Sequence, residues 1–168
     1  PTDGGYKRLD LSIMKTRRRQ DLERLARADM PAVYASLNAV QRTPWKVNED
    51  VLVVAEELKS LNAPVKGLPE LRELSRPTRP DDLPPIGEDL NDAQKEELSK
   101  FKAARRAWFD AAAKRSSRTT QSLQILTIAR DCSGEDRIWF PYQLDYRGRM
   151  YAVPQALPPQ GTDLAKGL

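Results

Sequence analysis

Apolar residues in the first part of the chain recur at helical intervals. Leu22, Leu25 and Ala26 share one side of a first short helix. Pro31 suits the first turn of a second, which carries Val33, Leu37 and Val40 inward. Asn48 is a good N-cap, and Glu49 and Asp50 place negative charge at the positive end of the helix dipole. Val51, Val54, Ala55, Leu58 and Leu61 then form one stripe, which predicts a third helix packed along that stripe and stopped near Asn62.

Between residues 63 and 90 the period dissolves. Pro64, Pro69, Pro77, Pro80, Pro84 and Pro85 forbid a long helix or a central strand, and Asp81, Asp82, Glu88 and Asp89 make the second half acidic. This stretch reads as a long surface connection with one helical turn near residues 70–74. Helical signals return at Asn91, with Gln94 three residues on, the pattern of a capping box. That helix is expected to run to about Arg115, with Leu98, Phe101, Ala104, Trp108 and Ala112 inside. Ser116, Ser117, Thr119 and Thr120 are expected to interrupt it before a further helix carrying Leu123, Leu126, Ile128 and Ala129. Beyond Gly134 the period changes. Residues 137–140 and 150–153 read as two short strands, with Gly148 turning the chain between them. The fold class expected is mainly α with a small β part: a helical bundle with a long basic helix, then a hairpin. Three stretches follow: a helical segment 1–45, a helical region 46–133 with the proline-rich acidic loop 63–90, and the hairpin segment 134–168.

Charge changes this picture locally more than globally. Lysine and arginine number 28 against 24 acidic residues, a net +4 that does not by itself indicate a polyanionic partner. The long helix is different: Lys100, Lys102, Arg105, Arg106, Lys114, Arg115 and Arg118 crowd it, relieved there only by Asp110. The single cysteine, Cys132, excludes an intramolecular disulfide and reads as a small buried hydrophobe. With no histidine there is no imidazole base and no Cys/His zinc site. No apolar run reaches the ~20 residues of a membrane span. The chain lacks an initiator methionine and stops at Leu168 in ordered-looking sequence, so a piece of a longer polypeptide is expected.

The densest chemistry is the run Phe140-Pro141-Tyr142-Gln143-Leu144-Asp145-Tyr146-Arg147-Gly148-Arg149-Met150-Tyr151. Guanidinium forks grip phosphate oxygens in pairs, and aromatic faces support bases or sugars. Two readings stand side by side: contact with a polyanion, or a surface hairpin in which Asp145 pairs with an arginine. The basic helix has the same pair of readings, since cations on the outer face of an amphipathic helix usually only solvate it.

The run Ile138 to Val153 resembles the segment of single-subunit, bacteriophage-type DNA-directed RNA polymerases where the thumb meets the palm. Pro159 to Leu168 is similar to that family's next stretch, and Thr43-Pro44-Trp45-Lys46-Val47-Asn48 to the opening of its helix before the thumb. The resemblance implies that Asp145, Gly148 and Arg149 match an element contacting the template strand and RNA–DNA hybrid, with Arg147 and Tyr151 beside them. It implies that Asp145 steadies an arginine fork. It also makes Lys102, Arg106, Lys114, Arg115 and Arg118 candidates for wrapping the hybrid. The partners implied are DNA template, RNA transcript and nucleoside triphosphates, with no membrane and a monomeric protein. The cofactor implied is Mg²⁺, whose aspartate ligands in the family lie in motifs downstream of Leu168. No catalytic or metal-binding residue is therefore assigned here, and the chain by itself is expected to be inactive. The setting implied is the host cytoplasm of a phage protein, or an organelle. A non-catalytic nucleic-acid-binding module is the alternative.

Overall fold

The computed structural model describes residues 11–85 and 89–168. Its elements are α1 (Arg19–Arg27), α2 (Pro31–Gln41), α3 (Glu49–Ser60), α4 (Asp92–Cys132), β1 (Tyr142–Leu144), β2 (Met150–Ala152) and α5 (Asp163–Gly167). They divide into two compact units. One runs up to Glu57 and resumes over Gln124–Leu168; the other is Leu58–Leu123.

The first unit is organised around Ile13, Leu37 and Tyr142, with Leu25, Met30, Val33, Tyr34, Val40, Phe140 and Leu144 packed on them. Helix α2 buries the residues its period selects, whereas α1 sends only Leu25 to this cluster and leaves Leu22 exposed. Strands β1 and β2 are antiparallel, pairing Tyr142 with Ala152, Gln143 with Tyr151 and Leu144 with Met150. The free edge of β1 is taken by residues 13–15: the Leu144 amide donates to the Ile13 carbonyl (2.9 Å) and the Lys15 amide to the Leu144 carbonyl (2.8 Å). The free edge of β2 is closed by one side chain. Gln160 donates to the Met150 carbonyl (2.9 Å) and accepts from the Ala152 amide (3.0 Å), standing in for a third strand. No strand forms over residues 137–140. Only Ile138 pairs, in an isolated antiparallel bridge to Trp45, and β1 begins after Pro141, which has no amide to donate.

Helix α3 is capped as expected, the Val51 amide donating to Asn48 Oδ1 (3.2 Å). Its packed side differs from the predicted stripe. Leu52 and Ala55 are buried, while Val51, Val54 and Leu61 are exposed. Periodicity located the stripe, but the buried face is turned roughly one residue from it. Glu56, on the same side as Leu52, forms an ion pair with Arg130.

Helix α4 is one continuous helix of 41 residues, and the expected break at residues 116–120 does not occur. The capping box does form. The Gln94 amide donates to Asn91 Oδ1 (2.8 Å) and the Asn91 amide to Gln94 Oε1 (3.1 Å). One hydroxyl expected to disrupt the helix, that of Thr119, is used outward instead, as is that of Ser122. Ser122 donates to the Gly67 carbonyl (2.8 Å) and Thr119 to the Glu70 carbonyl (3.3 Å). Trp108 Nε1 donates to the Leu74 carbonyl (3.2 Å) and Gln94 Nε2 to the Asp82 carbonyl (3.4 Å). The proline-rich connection is thus a strap laid antiparallel along α4. No helical turn forms over residues 70–74, because carbonyls there face α4 donors. Pro69 and Leu83 are the strap's buried anchors. Cys132, half-buried at the end of α4, is less enclosed than expected.

Candidate nucleic-acid interface

The loop between β1 and β2 is held by four backbone amides. The Asp145 amide donates to the Arg149 carbonyl (2.9 Å), and the Gly148 amide to the Asp145 carbonyl (3.0 Å). Gly148 sits at φ 78°, the left-handed conformation that closes a three-residue hairpin loop after a type I turn. A Cβ there would meet nothing within 4 Å, so glycine is required by the turn and not by a close approach. Asp145 Oδ1 accepts the amides of Arg147 (2.8 Å) and Arg149 (3.0 Å). Its carboxyl is held below the ordinary carboxylate range, first by the Arg149 amide, then by the Arg147 amide and the two guanidinium charges.

Asp145 therefore braces the backbone of the loop rather than clamping a guanidinium. Among the described residues no carboxylate lies within ion-pair distance of Arg147 or Arg149, and both side chains are exposed. The surface-decoration reading, in which Asp145 neutralises an arginine by direct pairing, does not match this geometry. Arg147 is ordered differently: its Nε donates to the Tyr146 hydroxyl (2.7 Å) and its guanidinium lies over the Tyr146 ring (4.9 Å). Tyr151 alternates onto the outer face of β2 and is exposed.

Two of the four aromatic rings in the run are unavailable for stacking. Tyr142 is buried in the core, its hydroxyl pushed to higher pKa by burial, and Phe140 packs edge-on against Trp45 at 6.2 Å. Tyr146 and Tyr151 remain, with Trp139 also exposed nearby in sequence. Sequence reasoning singled out neither Tyr146 nor Trp139 as a site residue; Tyr146's place between Asp145 and Arg147 was the signal.

The α4 candidates belong to the second unit. Lys102, Arg106, Lys114 and Arg118 are exposed, and on a helix of 3.6 residues per turn Arg106 lies opposite the side bearing Trp108 and Arg115. Arg115 behaves otherwise: its Nε pairs with Glu70 at 3.1 Å and its side chain is only 18% exposed, so it fastens the strap. Arg76 of the strap lies over Trp108 (5.8 Å) and Phe109 (5.9 Å), adding a cation–π contact to the same fastening.

Among the described residues no cluster of three or more His, Cys, Asp or Glu could hold a metal ion, and Asp145 is already occupied by amides. The described residues do not fit a Mg²⁺ site. Among them, no helix is long and apolar enough to cross a membrane.

No family model matches the chain. It is 37% identical over 171 residues to the DNA-directed RNA polymerase of Enterobacteria phage T3, covering 99% of this chain and 18% of that protein. It is 36% identical to T7 RNA polymerase of Escherichia phage T7, again over 99% of this chain and 18% of the relative. With DNA-directed RNA polymerase 2, chloroplastic/mitochondrial, of Arabidopsis thaliana it shares 27% identity over 98% of this chain and 16% of the relative. The chain thus spans less than a fifth of the length of these relatives.

Proposed function

We propose, from the premise that this chain belongs by sequence to the single-subunit, phage-type DNA-directed RNA polymerase family, that it serves templated RNA synthesis as a nucleic-acid-gripping part. In this reading the hairpin holds the template strand and the RNA–DNA hybrid through Arg147 and Arg149. Asp145 and Gly148 fix the turn that aims them, and Tyr151 lies alongside. Lys102, Arg106, Lys114 and Arg118 add a second cationic surface on α4. Arg115 supports that surface indirectly through Glu70.

The observation that carries the reading is the braced loop: two exposed guanidinium groups on a five-residue turn whose backbone is fixed by one carboxylate. The chemistry suits the task. A polymerase must hold a duplex whose bases change at every step, so its grip falls on phosphates and sugars. A fixed loop lowers the ordering cost of each contact. In such an enzyme bound Mg²⁺ would supply charge stabilisation while the RNA 3′-hydroxyl displaces pyrophosphate from a nucleoside triphosphate. The residues described here do not fit that ion, and their part is to hold the strands. The working site proposed follows the relatives, a phage-infected host cell or an organelle.

The test is Arg149→Ala in a polymerase of the relatives' length that carries this chain. Loss of one charge-assisted contact predicts about tenfold more abortive release, with melting temperature unchanged. A variant that melts earlier yet transcribes normally would overturn the reading.

A further inference from the structure

We infer that Tyr146 is a positioning residue that sets Arg147 for end-on capture of a single backbone phosphate, an inference that rests on the hairpin reading above. Tyr146 is 75% exposed, so core packing does not account for its place in the loop. Its recorded partner among the described residues is Arg147, engaged in two ways at once. The hydroxyl accepts from Arg147 Nε at 2.7 Å, and the ring lies beneath the guanidinium at 4.9 Å. The Arg147 amide is meanwhile held by Asp145 Oδ1 at 2.8 Å, so both backbone and head group of this arginine are fixed.

The consequence is directional. A guanidinium has five N–H donors in a planar fork. With Nε–H given to Tyr146, side-on recognition through Nε and one Nη is blocked. The four donors on Nη1 and Nη2 remain, and they match the two free oxygens of a phosphodiester. The Tyr146 hydroxyl keeps its own proton, available to a phosphate or sugar oxygen beside the fork. Arg149 has its amide held by the same carboxylate, but among the described residues no hydrogen bond fixes its guanidinium. The loop therefore offers one pre-set fork and one that adapts.

The experiment uses the 168-residue chain and a short fluorescein-labelled RNA–DNA hybrid, with affinity read by anisotropy across a salt series. Tyr146→Phe removes the hydroxyl alone and is expected to weaken binding about fivefold without changing the salt slope. Arg147→Ala is expected to weaken it further and flatten the slope by about 0.9, the loss of one phosphate contact. The double variant should match Arg147→Ala. In ¹⁵N spectra, Nε–H exchange of Arg147 should quicken in Tyr146→Phe, with the far-UV melting curve unchanged. Multiplying effects of the two substitutions, or a Tyr146→Phe chain indistinguishable from wild type in both readouts, would overturn the positioning role while leaving the hairpin grip intact. If Arg147→Ala changes neither affinity nor slope, the hairpin does not hold phosphate at this residue, and the inference falls with that reading.

Discussion

The hairpin loop and the strap along α4 are both irregular stretches rich in turn-forming residues, yet they are ordered by opposite means. In the loop, Asp145 reaches two and four residues ahead, and the turn is complete within five positions. In the strap, the backbone carbonyls of Gly67, Glu70 and Leu74 wait for donors 55, 49 and 34 residues away on α4. The loop can form as soon as its own residues exist, because closing so short a segment costs little chain entropy. The strap is ordered only once α4 stands beside it.

The largest effect expected on this contrast comes from Gly148→Ala. A side chain at φ 78° costs about 1–2 kcal/mol, and the loss should be confined to the hairpin. Amide exchange at Asp145 and Gly148 should accelerate while α4 is unchanged; equal acceleration in both units would show that the loop is not an independent element. Ser122→Ala comes next. It removes a nearly buried donor from the Gly67 carbonyl and should cost about 1 kcal/mol. Limited tryptic cleavage after Arg72 should rise about fivefold, with the hairpin amides untouched. Cleavage at the wild-type rate would mean that the strap is held by its apolar anchors alone.

The smallest effect is a divergence with pH. Asp145 titrates below its ordinary value, so its contribution to the loop is full at neutral pH and is lost only as pH falls through that lowered value. Glu97 is raised, chiefly by a hydrogen bond with Asp82 and then by that carboxylate's charge. Its contribution to fastening the strap is full in acid and fades as pH rises through the raised value. Mild acidification should therefore raise the protection of amides near Asp82 and Glu97, relative to the unfolded chain at the same pH, while leaving that of the hairpin amides unchanged. Parallel loosening of both regions would contradict these opposite signs.

What the sequence determined by itself was whatever closes over a few residues. The Asn48 cap, the Asn91–Gln94 box, the Gly148 turn and the non-helical character of the described residues 63–85 are all legible because each partner lies within one turn or one loop. The resemblance carried by Ile138–Val153 was legible for the same reason, as a local string. Tertiary structure alone decided which face of α3 is buried, that Thr119 bonds the strap instead of breaking α4, and that Tyr142 and Phe140 serve the core. It alone moved Arg115 from the candidate cations to the strap and turned Asp145 from a guanidinium partner into a backbone brace. Residue type sets what a side chain can donate or bury, but which of several competing partners it meets depends on segments tens of residues away.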